Sequence, residues 1–450
     1  MKKLIKSSVA ILLVLTLLSG LSLSMAASTE KKHLDYKSYV LLGDSVASGW
    51  SDIEHRNSTF NRVEGSYGAL LADDLGVDVY HPMACIGFRT NDLRYIFEDD
   101  YDYESDRFLF YSVSKEEVDS HVPEIRKAVS EADLITLNVG GNDWGSYIGW
   151  HVVEEMEKTV TDNEKFFATA KEYLETAGTG PDTIASIIDI ASLAGCLPDL
   201  IKILPVALKD GFSSFKNNWS ILIEDIYALN PDVTLVAIGL FDSGLQDSTM
   251  DEINAGNDGF DFQAELAKAE FGQLIVNYAN QPMIDGAEKY GYIFVDPVGT
   301  LCEKQHPSYA GHRHIADLVL EALPNADFPY TDVALTSNNY RAIEYMWLND
   351  IMEGASATEF APDAALTRGA LANAIANING TEASSDNADK ATRMNVISAL
   401  LSADSDASFS EKIKVFIFAV KLFINGGKFN IGSDITRAEA ATILYNYINL

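Results

Sequence analysis

Four hundred and fifty residues are too many for one ordinary domain and suit two, each able to bury a core without disulfide or metal staples. A hydrophobic content of 47% with 10% aromatics excludes a wholly disordered chain. With 33 Lys and Arg against 66 Asp and Glu, the formal charge of −33 disfavours nucleic acid and anionic lipid as partners, because like charges would meet.

Residues 1–26 read as a secretory signal peptide. Lys2, Lys3 and Lys6 form a basic start, residues 9–18 (VAILLVLTLL) an apolar run, and Ser24-Met25-Ala26 a small-x-small cleavage site. About ten apolar residues fall short of the ~20 that a spanning helix needs, so export without a transmembrane anchor is expected. Removal of this segment takes three lysines and no acid, leaving a charge of −36.

Residues 38–42 (SYVLL) predict a buried strand that opens into Gly43-Asp44-Ser45. A helix is predicted over 64–75 and another over 115–132. Residues 134–139 (LITLNV) predict a second strand ending in Gly140-Gly141-Asn142-Asp143. Further strands are predicted at 233–240 and 292–295, with a helix over 263–290 between them. Alternating strands and helices, with polar loops at the strand C-termini, indicate an α/β fold with a mostly parallel sheet. In such sheets the chemistry lies beyond the carboxyl ends of the strands.

The stretch 150–208 is too long for a simple crossover and predicts a helical insertion packed over the sheet. Its apolar part, 184–208, is interrupted by Asp189, Asp199 and Lys202, and Pro198 and Pro205 are expected to break it into pieces. This first, α/β half then runs over 27–327. From 328 to 450 the chain is Ala- and Asn-rich and has an internal echo. Phe360-Ala361-Pro362-Asp363 is followed by Leu366-Thr367-Arg368 and a helix; Phe429-Asn430 is followed by Ile435-Thr436-Arg437-Ala438-Glu439 and another. A compressed third copy centres on Ala391-Thr392-Arg393.

Three cysteines, Cys85, Cys196 and Cys302, make a poor disulfide framework for an exported chain, and buried free thiols are the expectation. The sequence holds no CxxC or HExxH, and His312 and His314, two apart on a predicted helix, point to different sides. Neither a metal nor a cofactor is expected.

A serine hydrolase needs a nucleophile, a base, an acid that orients the base, and donors for the oxyanion. Ser45 stands where a loop can present its Oγ, in Gly-Asp-Ser-x-x-x-Gly rather than a Gly-x-Ser-x-Gly elbow. Ala84-Cys85-Ile86-Gly87 offers a glycine N–H, Asn142 offers an amide, and Glu303-Lys304-Gln305-His306 sets a carboxylate three residues before a histidine. In the order Ser, Gly, Asn, His, these four blocks resemble the SGNH (GDSL) hydrolase family over about 39–323. The resemblance implies a flavodoxin-like three-layer α/β/α domain. It also implies Ser45 as nucleophile, His306 as general base, and an oxyanion hole of Ser45 N–H, Gly87 N–H and the Asn142 amide. The family usually places Asp where Glu303 stands; Glu303 is the expected acid and Asp296 the alternative. Asp44 and Asp143 are expected to stabilise loops, and Arg89 either to pin a loop or to meet substrate.

The C-terminal half resembles S-layer homology (SLH) domains, which dock on bacterial cell-wall polysaccharide. That resemblance implies a small all-helical repeat unit, a cell-surface location, and Arg368 and Arg437 as candidate contacts with anionic sugar groups. The expected activity is hydrolysis of a carboxylic ester, either an acyl lipid or an acetylated carbohydrate, by a protein tethered to the wall. The alternative is a catalytically inactive wall-binding protein.

Overall fold

The computed structural model describes residues 33–448 except 52, 55–56, 103–112, 144–148, 160–163, 177–189, 192–194, 242–261, 304, 336, 338, 382–384 and 404–431. The expected signal peptide lies outside these residues, as do 184–189 and 192–194 of the apolar stretch 184–208. The chain divides into two compact units, 35–323 and, with the described residues 33–34, 324–448.

The larger unit is built on one parallel sheet. Its strands are β1 (Ser38–Gly43), β2 (Val79–Ala84), β3 (Leu134–Asn138), β4 (Thr234–Ile238) and β5 (Ile293–Val295), in the order β2-β1-β3-β4-β5. This is the flavodoxin-like order, whose switch point falls between β1 and β3. β1, β3 and β4 are almost wholly buried, because helices on both faces cover central parallel strands, and their sequences are accordingly continuous apolar runs. β2 was not legible in that way. It is an edge strand with an exposed start, and Pro82 sits in it opposite Leu41; an edge tolerates a residue that cannot donate to the ladder.

Helices α1 (Ser45–Ser48), α2 (Tyr67–Leu75), α3 (Thr90–Phe97) and α4 (Lys115–Glu131) follow in the first half. α5 (Gly149–Thr159), α6 (Glu164–Thr176), α7 (Leu197–Leu229), α8 (Phe262–Tyr290) and α9 (Tyr309–Ala322) complete the unit. Side-chain caps start several of them: Ser66 accepts from Ala69 N–H, Ser114 from Glu117 N–H and Ser308 from Gly311 N–H. The expected break at the two prolines is corrected. Pro198 occupies the first turn of α7, where its missing N–H costs nothing, and the helix runs on through position 205. The core joins Leu42, Ile135 and Leu235 of the sheet to Val153 and Met156 of α5, Phe166 of α6 and Trp219 of α7. Trp219 Nε1 donates to Tyr292 Oη at 2.8 Å within it.

The smaller unit contains α10 (Tyr340–Leu348), α11 (Arg368–Ile378), α12 (Arg393–Ala403) and α13 (Arg437–Ile448). Its centre is a closed ring of backbone hydrogen bonds. Leu366 N–H donates to Ile435 O (2.9 Å), Ile435 N–H to Ala391 O (3.1 Å), and Ala391 N–H to Leu366 O (2.8 Å). The arginines two positions on repeat the ring: Arg368 N–H to Asp389 O, Arg393 N–H to Ser433 O, Arg437 N–H to Ala364 O. Three Thr-Arg segments thus occupy equivalent places around an approximate threefold axis, each opening a helix. Thr436 and Glu439 form a reciprocal capping box (3.1 Å each way), Thr392 and Asn395 a similar one, and Thr367 alone accepts from Ala370 N–H. Among the described residues no helix is long and apolar enough to cross a membrane.

Candidate active site

The site assembles beyond the C-terminal ends of β1, β2 and β3. Gly43 is paired with Ala84 on one side and Asn138 on the other. The chain then leaves β1 with Asp44 N–H on Asn138 O (3.1 Å) and Cys85 N–H on Gly43 O (3.0 Å). Gly43 has φ +147°, and a Cβ there would lie 2.1 Å from Asn138 O, so the exit from the strand requires glycine. Asp44 caps the single turn of α1, its Oδ1 accepting Val46 N–H at 2.9 Å. Ser45 is therefore held as the first residue of a short helical turn at the end of β1.

His306 comes from a tight turn between β5 and α9. Cys302 bridges Pro307, Glu303 N–H donates to His306 O (3.0 Å), and Ser308 N–H donates to Leu301 O (3.0 Å). This turn brings His306 Nε2 to 2.8 Å from Ser45 Oγ, across 261 residues of sequence. With the ring proton on Nδ1, Nε2 accepts from the serine hydroxyl, the arrangement in which an imidazole removes a proton from a nucleophile.

The three expected oxyanion donors lie on neighbouring strand ends. Among the described residues, neither Ser45 N–H nor Gly87 N–H has an acceptor, and Gly87 has φ +77°, a conformation that glycine adopts without strain. Asn142 Nδ2 donates one hydrogen to Phe88 O at 3.0 Å and keeps the other. The Glu303 carboxylate accepts from Ser51 Oγ at 2.9 Å. It lines a cavity of about 10 Å³ with Trp50, Pro307 and Tyr309, room for one water and too small for substrate. Asp296, past the end of β5, is exposed.

Buried carboxylates stand next to Ser45 and Asn142 in the chain. Burial pushes Asp44 up to about 7, against the pull of Val46 N–H and of His306, while Asp143 adds to the rise. Burial likewise raises Asp143 to about 6, with hydrogen bonds from Thr90 and the charge of Arg89 opposing it. Arg89 is itself buried and paired to Asp92 (Nε–Oδ2 3.3 Å), which is a loop-pinning place. The serines that follow Ser45 escaped the sequence reading: Ser51 on Glu303, and Ser48 Oγ with Ser58 Oγ at 2.9 Å. Single serines in a loop carry no periodic signal. All three cysteines are free and buried, and burial pushes the Cys85 thiol well up. His312 is buried against Tyr67, whereas His314 Nε2 bonds Val298 O (2.9 Å). Among the described residues no His, Cys, Asp and Glu cluster has a metal-holding arrangement.

In the smaller unit the three equivalent arginines differ. Arg437 is used by its own fold: Nε donates to Phe360 O (2.7 Å), Nη2 to Glu353 O, and the guanidinium lies 4.6 Å from the Phe360 ring centroid. Arg393 is nearly buried and bidentate on Glu439 at 2.7 and 2.8 Å. Arg368 is exposed, with no side-chain partner among the described residues.

Among solved structures, the chain is similar to an extracellular lipase from Streptomyces rimosus, at 16% identity and a TM-score of 0.36, over 64% of this chain and 99% of that one. A phospholipase A1 from Streptomyces albidoflavus matches at 15% identity and TM-score 0.35, over 64% and 99%. A carbohydrate acetylesterase from Sinorhizobium meliloti matches at 12% and 0.31, over 63% and 96%. No curated protein matches the chain. The S-layer homology domain profile matches residues 329–372, and the profile of GDSL-like lipase/acylhydrolases matches residues 39–319. The chain belongs to the GDSL-like lipase/acylhydrolase family and carries an S-layer homology domain towards its C-terminus.

Proposed function

We propose that this protein is an exported serine ester hydrolase that works through an acyl-enzyme and is held at the bacterial cell wall by its smaller unit. The observation that carries the reading is the 2.8 Å approach of His306 Nε2 to Ser45 Oγ. His306 takes the hydroxyl proton as Ser45 Oγ bonds to the ester carbonyl carbon. The carbonyl oxygen becomes an oxyanion facing Ser45 N–H, Gly87 N–H and Asn142 Nδ2. Its collapse expels the alcohol, which receives the proton from His306. Water, deprotonated by His306, then attacks the acyl-serine, the same donors meet the second oxyanion, and its collapse breaks the bond to Ser45 Oγ, which takes the proton back from His306 as the carboxylic acid leaves. Glu303 acts on His306 as the orienting acid, and no cofactor takes part.

The substrate is an acyl lipid or an acetylated carbohydrate, and the wall partner is a polysaccharide with anionic groups. Of the two proposed sugar contacts, Arg368 has the stronger support because its fork is open, whereas Arg437 spends two donors on Phe360 O and Glu353 O.

Hydrolysis of nitrophenyl acetate, butyrate and palmitate by the protein beside Ser45→Ala tests the reading. Turnover that vanishes in the variant supports the nucleophile, and the chain-length profile separates lipase from acetylesterase. Turnover equal in both sinks it.

A further inference from the structure

The two oxyanion donors outside α1 sit on separate segments. Gly87 belongs to the loop after β2, and Asn142 to the turn after β3. Backbone pairing in the sheet stops at Ala84 and Asn138, so something beyond the sheet must set how far apart these donors stand. Three hydrogen bonds cross that gap. Asn142 Nδ2 reaches Phe88 O at 3.0 Å. The Asp143 carboxylate takes both Thr90 N–H (3.0 Å to Oδ2) and Thr90 Oγ–H. Thr90 and Asp143 are both buried, in surroundings where such bonds are strong and a lost partner is costly. Thr90 is also the first residue of α3, so the tie fixes the helix start that follows Gly87 to the turn after β3. The charge on Asp143 is offset by Arg89.

The geometry points to Asp143 as a positioning residue of the oxyanion hole: by holding the Thr90 N–H and hydroxyl it sets the separation of Gly87 N–H and Asn142 Nδ2. This rests on the assignment of Ser45, Gly87 and Asn142 proposed above. Asp143 itself does not touch the reacting atoms.

The test uses the full chain and nitrophenyl acetate, with Ser45→Ala, Thr90→Val, Thr90→Ser and Asp143→Asn beside the parent. Thr90→Val removes only the hydroxyl from a near-isosteric side chain. It is expected to lower kcat about tenfold or more, since a displaced donor costs rate steeply, with KM within about twofold, in a protein that melts somewhat lower because a buried carboxylate has lost a partner but is still folded at the assay temperature. Thr90→Ser, which restores both donors, recovers most of that loss. The effects of Thr90→Val and Asp143→Asn do not multiply in the double variant, because both cut one tie. Thr90→Val and Asp143→Asn proteins that melt early but keep kcat would show a purely structural role and overturn the proposal. A parent as slow as Ser45→Ala overturns the hydrolase reading and the positioning role with it. An active parent with an unimpaired Thr90→Val overturns the positioning role alone.

Discussion

Ser51 Oγ donates to Glu303 Oε2 at 2.9 Å, joining the segment that follows Ser45 to the turn that carries His306. Ser51 Oγ also receives Glu54 N–H at 3.0 Å, so the serine is oriented from one side and holds the carboxylate on the other. A glutamate, one methylene longer than the aspartate usual in the family, gains a fixed end through this contact.

Glu303→Ala is expected to lower kcat by about 10- to 100-fold, since an orienting carboxylate stabilises the imidazolium without reacting itself. Ser51→Ala is expected to lose less, because the carboxylate stays and only its tether goes. Steady-state kinetics on both variants, with the pH profile of kcat/KM, check this. A loss under about twofold in Glu303→Ala would show that other groups orient His306.

Asp44 supplies a pH-dependent prediction. Its folded value, about 7, lies above that of an unfolded aspartate near 3.9. The folded state therefore binds a proton that the unfolded chain releases, and the stability this brings is full below about pH 4 and lost as pH rises towards 7. Asp143, at about 6, acts with the same sign. Asp44→Asn keeps the helix cap and removes the titration. Urea unfolding from pH 4 to 8 should show the variant gaining on the parent as pH rises; parallel curves would refute the burial argument.

Gly43→Ala probes the strand exit. The added Cβ would meet Asn138 O at 2.1 Å and Ala47 Cβ at 2.7 Å, with φ at +147°. A cost of about 3 kcal/mol or more is expected from strain and overpacking, read as a lower urea midpoint. Activity should fall with it, because the same turn presents Ser45.

Arg368→Ala and Arg437→Ala separate binding from folding in the smaller unit. Arg437→Ala removes the donors to Phe360 O and Glu353 O and should lower the thermal midpoint. Arg368→Ala should leave that midpoint in place and weaken co-sedimentation of the full chain with purified wall polysaccharide, read as a severalfold higher half-saturation. Undiminished sedimentation of Arg368→Ala would remove it as a contact.

The central strands were readable because burial on both faces leaves an uninterrupted apolar run, as in residues 134–138. The edge strand 79–84 (VYHPMA) was not, since one edge and part of its faces meet solvent and Pro82 mimics a turn. α3 is short, and its start is set by Arg89 and Asp92 rather than by an apolar period. The blocks around Ser45, Gly87, Asn142 and His306 could be picked out because, in that order, they resemble the four blocks of one hydrolase family; each block alone is weak.

Composition, charge and these local patterns sufficed for an α/β chain with a hydrolase-like set of side chains and a repeated Thr-Arg segment. They act through nearby residues, which the sequence holds directly. Only the tertiary structure decided that His306 meets Ser45 across 261 residues, that Asp143 ties to Thr90, and that Arg437 serves its own loop while Arg368 is exposed. Such contacts depend on strand order, on crossover geometry and on which buried polar group finds a partner. Those outcomes are set by packing the whole chain, because a buried donor or acceptor takes whatever partner the fold brings within about 3 Å.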